Sequence, residues 1–145
     1  MNINFEIIKY GSSDWEAAVN LREKILRVPL GTTFSQKELI EEKEHIQIAG
    51  FNKGTLLATA VLVPEGSRVK MQRVVVDNNY RNRNIGSKMM LFCEEYSIKN
   101  DFEIIYCHAR DSAVNFYSQN GYTQQGDYFD EDGIPHLMMY KYINS

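Results

Sequence analysis

From Ile85 the apolar residues change to helical spacing, with Met89, Phe92, Cys93 and Tyr96 on one stripe and Lys88, Glu94, Glu95 and Lys99 mostly off it. The chain just before this helix is extended. Residues 45–51, then 55–63 after the Asn52-Lys53-Gly54 turn, then 69–77 read as three strands of an antiparallel meander. A meander that runs straight into an amphipathic helix requires a mixed α/β fold.

The remaining segments extend that pattern. Residues 5–10 form a short isoleucine-rich strand that stops at Gly11. Ser13 and Glu16 then have capping-box spacing, and Trp15, Ala18, Val19, Ile25 and Leu26 recur at helical intervals until Pro29 and Gly31 end the pattern. Ser35 and Glu38 repeat that spacing, which predicts a second, shorter helix. After the long helix, residues 103–109 read as a strand. Asp111 is placed to cap a short helix through Asn120, with Gly121 closing it in a left-handed turn. Two last strands, residues 122–129 and 136–143, flank the acidic turn Asp130, Glu131, Asp132 and Gly133. The order is strand, two helices, three strands, helix, strand, helix, two strands, and 145 residues suit one domain, 1–145.

A net charge of -3 supplies no broad basic field, so a nucleic-acid partner is not expected. Residues 1–10 carry Glu6 and Lys9, and no later stretch approaches the length of a membrane span, so no membrane partner and a cytoplasmic location are expected. Cys93 and Cys107 are read as reduced, apolar core residues. His45, His108 and His136 are scattered, and Cys107 and His108 point to opposite sides of a strand, so no metal site is expected.

Chemistry concentrates where a loop opens the long helix, at Arg81, Asn82, Arg83, Asn84, Ile85, Gly86 and Ser87. Such a junction offers unpaired backbone N–H groups, the positive end of a helix dipole and two guanidinium groups, a combination suited to a diphosphate. Gly86 allows close backbone approach, and Asn84 tolerates the positive φ that an anion-binding nest requires. The loop lacks the Gly-Lys-Ser/Thr ending of a nucleotide-binding P-loop.

These residues, with two other segments, resemble the GNAT superfamily of N-acetyltransferases along nearly the whole chain. The family's pyrophosphate loop runs Arg or Gln, two residues, Gly, one residue, then Gly or Ala. Arg81, Asn84 and Gly86 occupy its positions, with Asn84 in place of the usual glycine. The strand Met71, Gln72, Arg73, Val74, Val75, Val76 and Asp77 is similar to the family's splayed fourth strand. Ala113, Phe116, Tyr117, Gly121 and Tyr122 look like its Ala-x-x-Phe-Tyr-x-x-x-Gly-Phe ending.

The resemblance implies a mostly antiparallel seven-stranded sheet, split at its fourth strand and flanked by about four helices. It implies acetyl-CoA as acetyl donor, with no metal. The arm of the coenzyme would pair with the backbone of Val74, Val75 and Val76, and its diphosphate would sit on Arg81 to Ser87. Asn115 would be a further contact, and a backbone N–H near Val75 would face the oxyanion. Tyr117 would be general acid, since a phenol with pKa near 10 is protonated at pH 7. For the base, His136 is preferred and His108 is second.

Arg22 interrupts the apolar stripe of the first helix. A paired carboxylate is its commoner fate; the functional reading has it hold an acidic group of the acceptor. The acidic turn could attract a cationic acceptor. The implied reaction is direct acetyl transfer to a primary amine of a small molecule or peptide, with a homodimer among the expected states. A non-catalytic acyl-CoA sensor on the same fold is the alternative, and a nucleotide-phosphate binder is a more distant one.

Overall fold

The computed structural model describes residues 2–81 and 84–144. Seven strands, β1 (Asn4–Ile8), β2 (Ile46–Asn52), β3 (Thr55–Glu65), β4 (Arg68–Val76), β5 (Ile104–Arg110), β6 (Thr123–Glu131) and β7 (Ile134–Tyr142), form one sheet in the order β1-β2-β3-β4-β5-β7-β6. The α-helices among the described residues are α1 (Ser13–Arg22), α2 (Gln36–Glu41), α3 (Ile85–Lys99) and α4 (Val114–Gln119). The pairs β1–β2, β2–β3, β5–β7 and β6–β7 run antiparallel, and β4–β5 runs parallel. The fold is mixed α/β with a mostly antiparallel seven-stranded sheet, in the element order read from the sequence. Among the described residues, no helix is long and apolar enough to cross a membrane.

Local chemistry moves several boundaries. Ser12, not Ser13, caps α1, its hydroxyl accepting from the Trp15 N–H at 3.2 Å. The α-helical part stops at Arg22, and the chain continues through a π-helical turn at Glu23–Arg27 and a 3-10 turn at Val28–Leu30 that contains Pro29 and is closed by Gly31, whose φ is 75°. The Ser35–Glu38 capping box forms in full. Asp111 accepts from the Ser112 N–H at 2.9 Å and opens a tight turn before α4 in place of capping it. Pro64 lies within the exposed end of β3, and the last hairpin turns on Asp132 and Gly133, both with positive φ.

The chain forms two compact units. The first is Met1–Val63 with Arg73–Cys93. Its core is the run of fully buried residues on β2 and β3, including Ile48, Ala49, Leu57, Ala58 and Val61. A Cβ at Gly50 would stand 2.6 Å from the Phe5 ring, so any larger residue there would require that ring to move. The second is Pro64–Gln72 with Glu94–Ser145. Its sheet buries one face, carrying Ile105, Cys107, Ala109, Leu137 and Met139.

Candidate active site

In the first unit, β4 leads directly into the loop before α3. The Asp77 N–H donates to the Leu57 carbonyl at 2.7 Å, and its carboxylate accepts from the Asn79 N–H at 3.0 Å, closing a turn over Asn78–Tyr80. Arg81 follows, exposed, while Asn82 and Arg83 lie outside the described residues. Asn84 adopts φ 58°, and its carbonyl accepts from the Lys88 N–H at 3.0 Å, the first bond of α3. Ile85, only 2% exposed, anchors the helix start. In general a left-handed residue followed by the first-turn amides of a helix, here those of Ile85, Gly86 and Ser87, presents N–H groups to an anion, and the exposed Arg81 adds charge nearby in sequence. These residues fit a diphosphate.

The left-handed φ at Asn84 gives a direct test. Asn84→Gly is expected to hold stability within about 0.5 kcal/mol, whereas Asn84→Val forces a β-branched residue into that region and costs about 1–2 kcal/mol in urea unfolding. Equal stabilities would show that the conformation is not enforced.

The same unit contains a charge cluster that orders α1, α2 and β4. Arg22 is 0% exposed and donates to Glu42 at 2.9 Å; Glu42, also 0% exposed, receives Trp15 Nε1 at 3.3 Å and pairs with Arg73. Arg27 grips Glu38 through two bonds of 3.1 and 2.6 Å, which holds the Glu38 carboxyl down at about 2. The guanidinium carbons of Arg27, Arg73 and Arg22 stand 4.2, 4.7 and 5.6 Å from the centroid of the Phe34 ring. Burial pulls Arg22 and Arg73 down to about 10, still charged at neutral pH. Arg22 therefore turns inward, and the carboxylate it holds is this chain's own Glu42, not an acceptor's. Arg73 adopts φ 54° within β4, just before Val74, Val75 and Val76, of which Val75 is buried.

In the second unit, α4 ends in a Schellman motif. The Tyr122 N–H reaches the Tyr117 carbonyl at 3.0 Å, the Gly121 N–H reaches Ser118 at 3.1 Å, and Gly121 has φ 90°. The Tyr117 and Tyr122 rings meet edge to face at 5.6 Å, completing the apolar contact of the motif. Tyr117 is thereby fixed, 6% exposed, with its phenol hydrogen-bonded to Cys107. Burial pushes the Cys107 thiol up to about 12. Asn115 is exposed on the same helix.

The opposite face of β5 carries His108. Its Nδ1 stands 3.2 Å from Glu131 Oε1, while His136 Nε2 stands 3.5 Å from Glu131 Oε2. His136 Nδ1 donates to the Ile134 carbonyl at 2.8 Å, and its side chain is 7% exposed against 27% for His108. Glu131 thus stands between both histidines singled out from the sequence, hydrogen-bonded to His108 and close to His136, and Tyr117 lies across the strand from them. Among the described residues no group of three His, Cys, Asp or Glu side chains is arranged to hold a metal ion.

Glu131 was hidden because residues 130–133 read as one acidic turn. The Asp132-Gly133 dipeptide was the available signal, since a two-residue hairpin turn there leaves Glu131 on the strand with its side chain on a defined face. Arg73 and Glu42 carried no comparable signal.

The family model for the acetyltransferase (GNAT) domain matches residues 29–143. The chain is 32% identical over 124 residues to the UPF0039 protein C11D3.02c of Schizosaccharomyces pombe, covering 82% of this chain and 81% of that one. Escherichia coli ElaA superposes with a TM-score of 0.82 at 21% identity, over 97% of this chain and 99% of the other. The PaiA N-acetyltransferase of Thermoplasma acidophilum, solved with coenzyme A, gives 0.78 at 15% identity, over 98% and 99%.

Proposed function

The chain belongs to the acetyltransferase (GNAT) domain family, and from that premise we propose that it moves an acetyl group from acetyl-CoA directly to a primary amine. The observation that carries this reading is Asn84 at φ 58°, between exposed Arg81 and the first turn of α3. A positive-φ residue opening a helix aims amide N–H groups at an anion, and the departure from glycine keeps that conformation. A relative with coenzyme A bound, PaiA, has the same fold.

Acetyl-CoA supplies an activated thioester. Arg81 and the amides of Asn84 to Ser87 hold its diphosphate, Val74 to Val76 offer strand backbone to its arm, and Asn115 adds a polar contact. Tyr117 gives the proton that the leaving sulfur requires. An acyl-cysteine route finds no support, because Cys93 and Cys107 are buried and Cys107, at about 12, remains a thiol at neutral pH.

The test is release of free thiol from acetyl-CoA with a panel of primary amines. Amine-dependent release supports the transferase, whereas tight coenzyme binding without release favours an acyl-CoA sensor. Arg81→Ala is expected to weaken coenzyme binding about tenfold by calorimetry, the loss of one charge-assisted contact. An unchanged affinity would remove the loop from the site.

A further inference from the structure

The second face of β5, β7 and β6, on which Tyr106 and His136 are buried and His108, Met138 and Tyr140 are partly exposed, carries two features. One is the bridge His108–Glu131–His136, with the Phe129 ring edge-on to His108 at 5.0 Å. The other is an open pocket of about 260 Å³ whose lining includes Tyr106, Met138, Tyr140 and Tyr142. They are continuous. Tyr106 is two residues before His108 on β5, their rings 6.0 Å apart, and Met138 is the register partner of His108 on β7.

We propose that this face binds the acceptor amine, with the ammonium at His108 and Glu131 and an aromatic or aliphatic body against Tyr140 and Met138. The inference rests on the acetyltransferase reading and names its substrate class. Charge selects the amine end. Glu131 faces the site, and Asp130 and Asp132 flank it, so a cation is attracted and an amine bearing an adjacent carboxylate is repelled. The far end is apolar and aromatic, with Tyr106 held by its hydrogen bond to Glu65 at 2.6 Å and Arg68 over its ring at 4.7 Å.

Hydrogen bonding selects the base. His136 is tied through Nδ1 to the Ile134 carbonyl and its side chain is only 7% exposed, so it offers an incoming amine little access. His108 donates Nδ1–H to Glu131, which leaves the Nε2 lone pair available as proton acceptor. An N–H bond of the ammonium breaks and its electron pair stays on nitrogen, while the proton joins His108 Nε2 and Glu131 stabilises the imidazolium. The amine nitrogen then bonds the acetyl carbon as the C–S bond breaks. The nitrogen loses its second proton as the amide forms, and that proton, carried by solvent, restores the phenol of Tyr117 in place of the one given to sulfur, so one proton net passes through His108 to water. Glu131 and His136 are positioning residues. The other ionisable groups on this face include Tyr106, pushed up to about 12 by burial and Glu65, Arg68 over its ring, Tyr140, Tyr142 and Arg110.

The experiment compares phenethylamine, phenylalanine and ethylamine as acceptors, and follows amine binding without coenzyme by the imidazole proton resonances of His108 and His136. Phenethylamine is expected to exceed phenylalanine at least tenfold in kcat/KM and to shift both imidazole signals. Tyr140→Ala should raise KM for phenethylamine several-fold and leave that for ethylamine unchanged. His108→Ala should lower kcat about 100-fold with KM retained, and added imidazole should restore part of it, which a purely structural role would not allow. Thiol release with no imidazole shift and no effect of either variant overturns this site while sparing the transferase. Imidazole shifts without thiol release uphold the amine site and sink the transferase.

Discussion

Tyr117→Phe is expected to lower kcat about 100-fold while coenzyme affinity by calorimetry stays within about twofold. The geometry behind this is restrictive. The Schellman closure of α4 and the edge-to-face contact with Tyr122 fix the ring, so the phenylalanine variant keeps its place and loses only the hydroxyl. The lost bond to Cys107 removes about 1 kcal/mol of stability. That is too little to unfold the protein, so a drop in turnover reports on chemistry. Single-turnover thiol release is the deciding measurement, because slow product release would mask a slower chemical step. Full single-turnover rate in Tyr117→Phe would remove the acid assignment and leave the leaving sulfur to be protonated by solvent.

Glu42→Ala is expected to give the largest loss of stability, about 3–5 kcal/mol, seen as a fall of roughly 10 °C in thermal midpoint. Among the described residues Glu42 is the carboxylate that hydrogen-bonds both Arg22 and Arg73, and it accepts from Trp15 as well. Without it, a fully buried guanidinium keeps its charge at neutral pH and loses its counter-ion. Arg22 has no slack to absorb this, since Nε and Nη1 already lack partners within the described residues. The double variant Arg22→Met with Glu42→Leu should recover much of the loss, because paired apolar replacements escape the desolvation penalty that one orphaned charge meets. A Glu42→Ala midpoint within about 2 °C of the parent would mean that the cluster is spectator chemistry.

What the sequence disclosed followed the range of the interaction. Patterns within a few residues were legible: the Ser35–Glu38 capping box, the helix from Ile85, Gly121 at the end of α4 and the positive φ at Asn84 all come from local steric or hydrogen-bonding preferences. The partner of Arg22 was not, because Glu42 is brought to it by the turns after α1 and α2, which periodicity does not encode. Arg73 at φ 54° was equally hidden, since arginine carries no bias toward the left-handed region. The joining of His108 and His136 through Glu131 required the hairpin register, and a turn read two residues too long concealed it.

Tyr117 and His108 approach β5 from opposite sides, with the main chain between them. The pairing of β4 with β5 ends at Lys70 and Tyr106, so in the proposed reaction the acetyl carbon lies beside β5 just past that point, where a single atom can be approached from both faces at once.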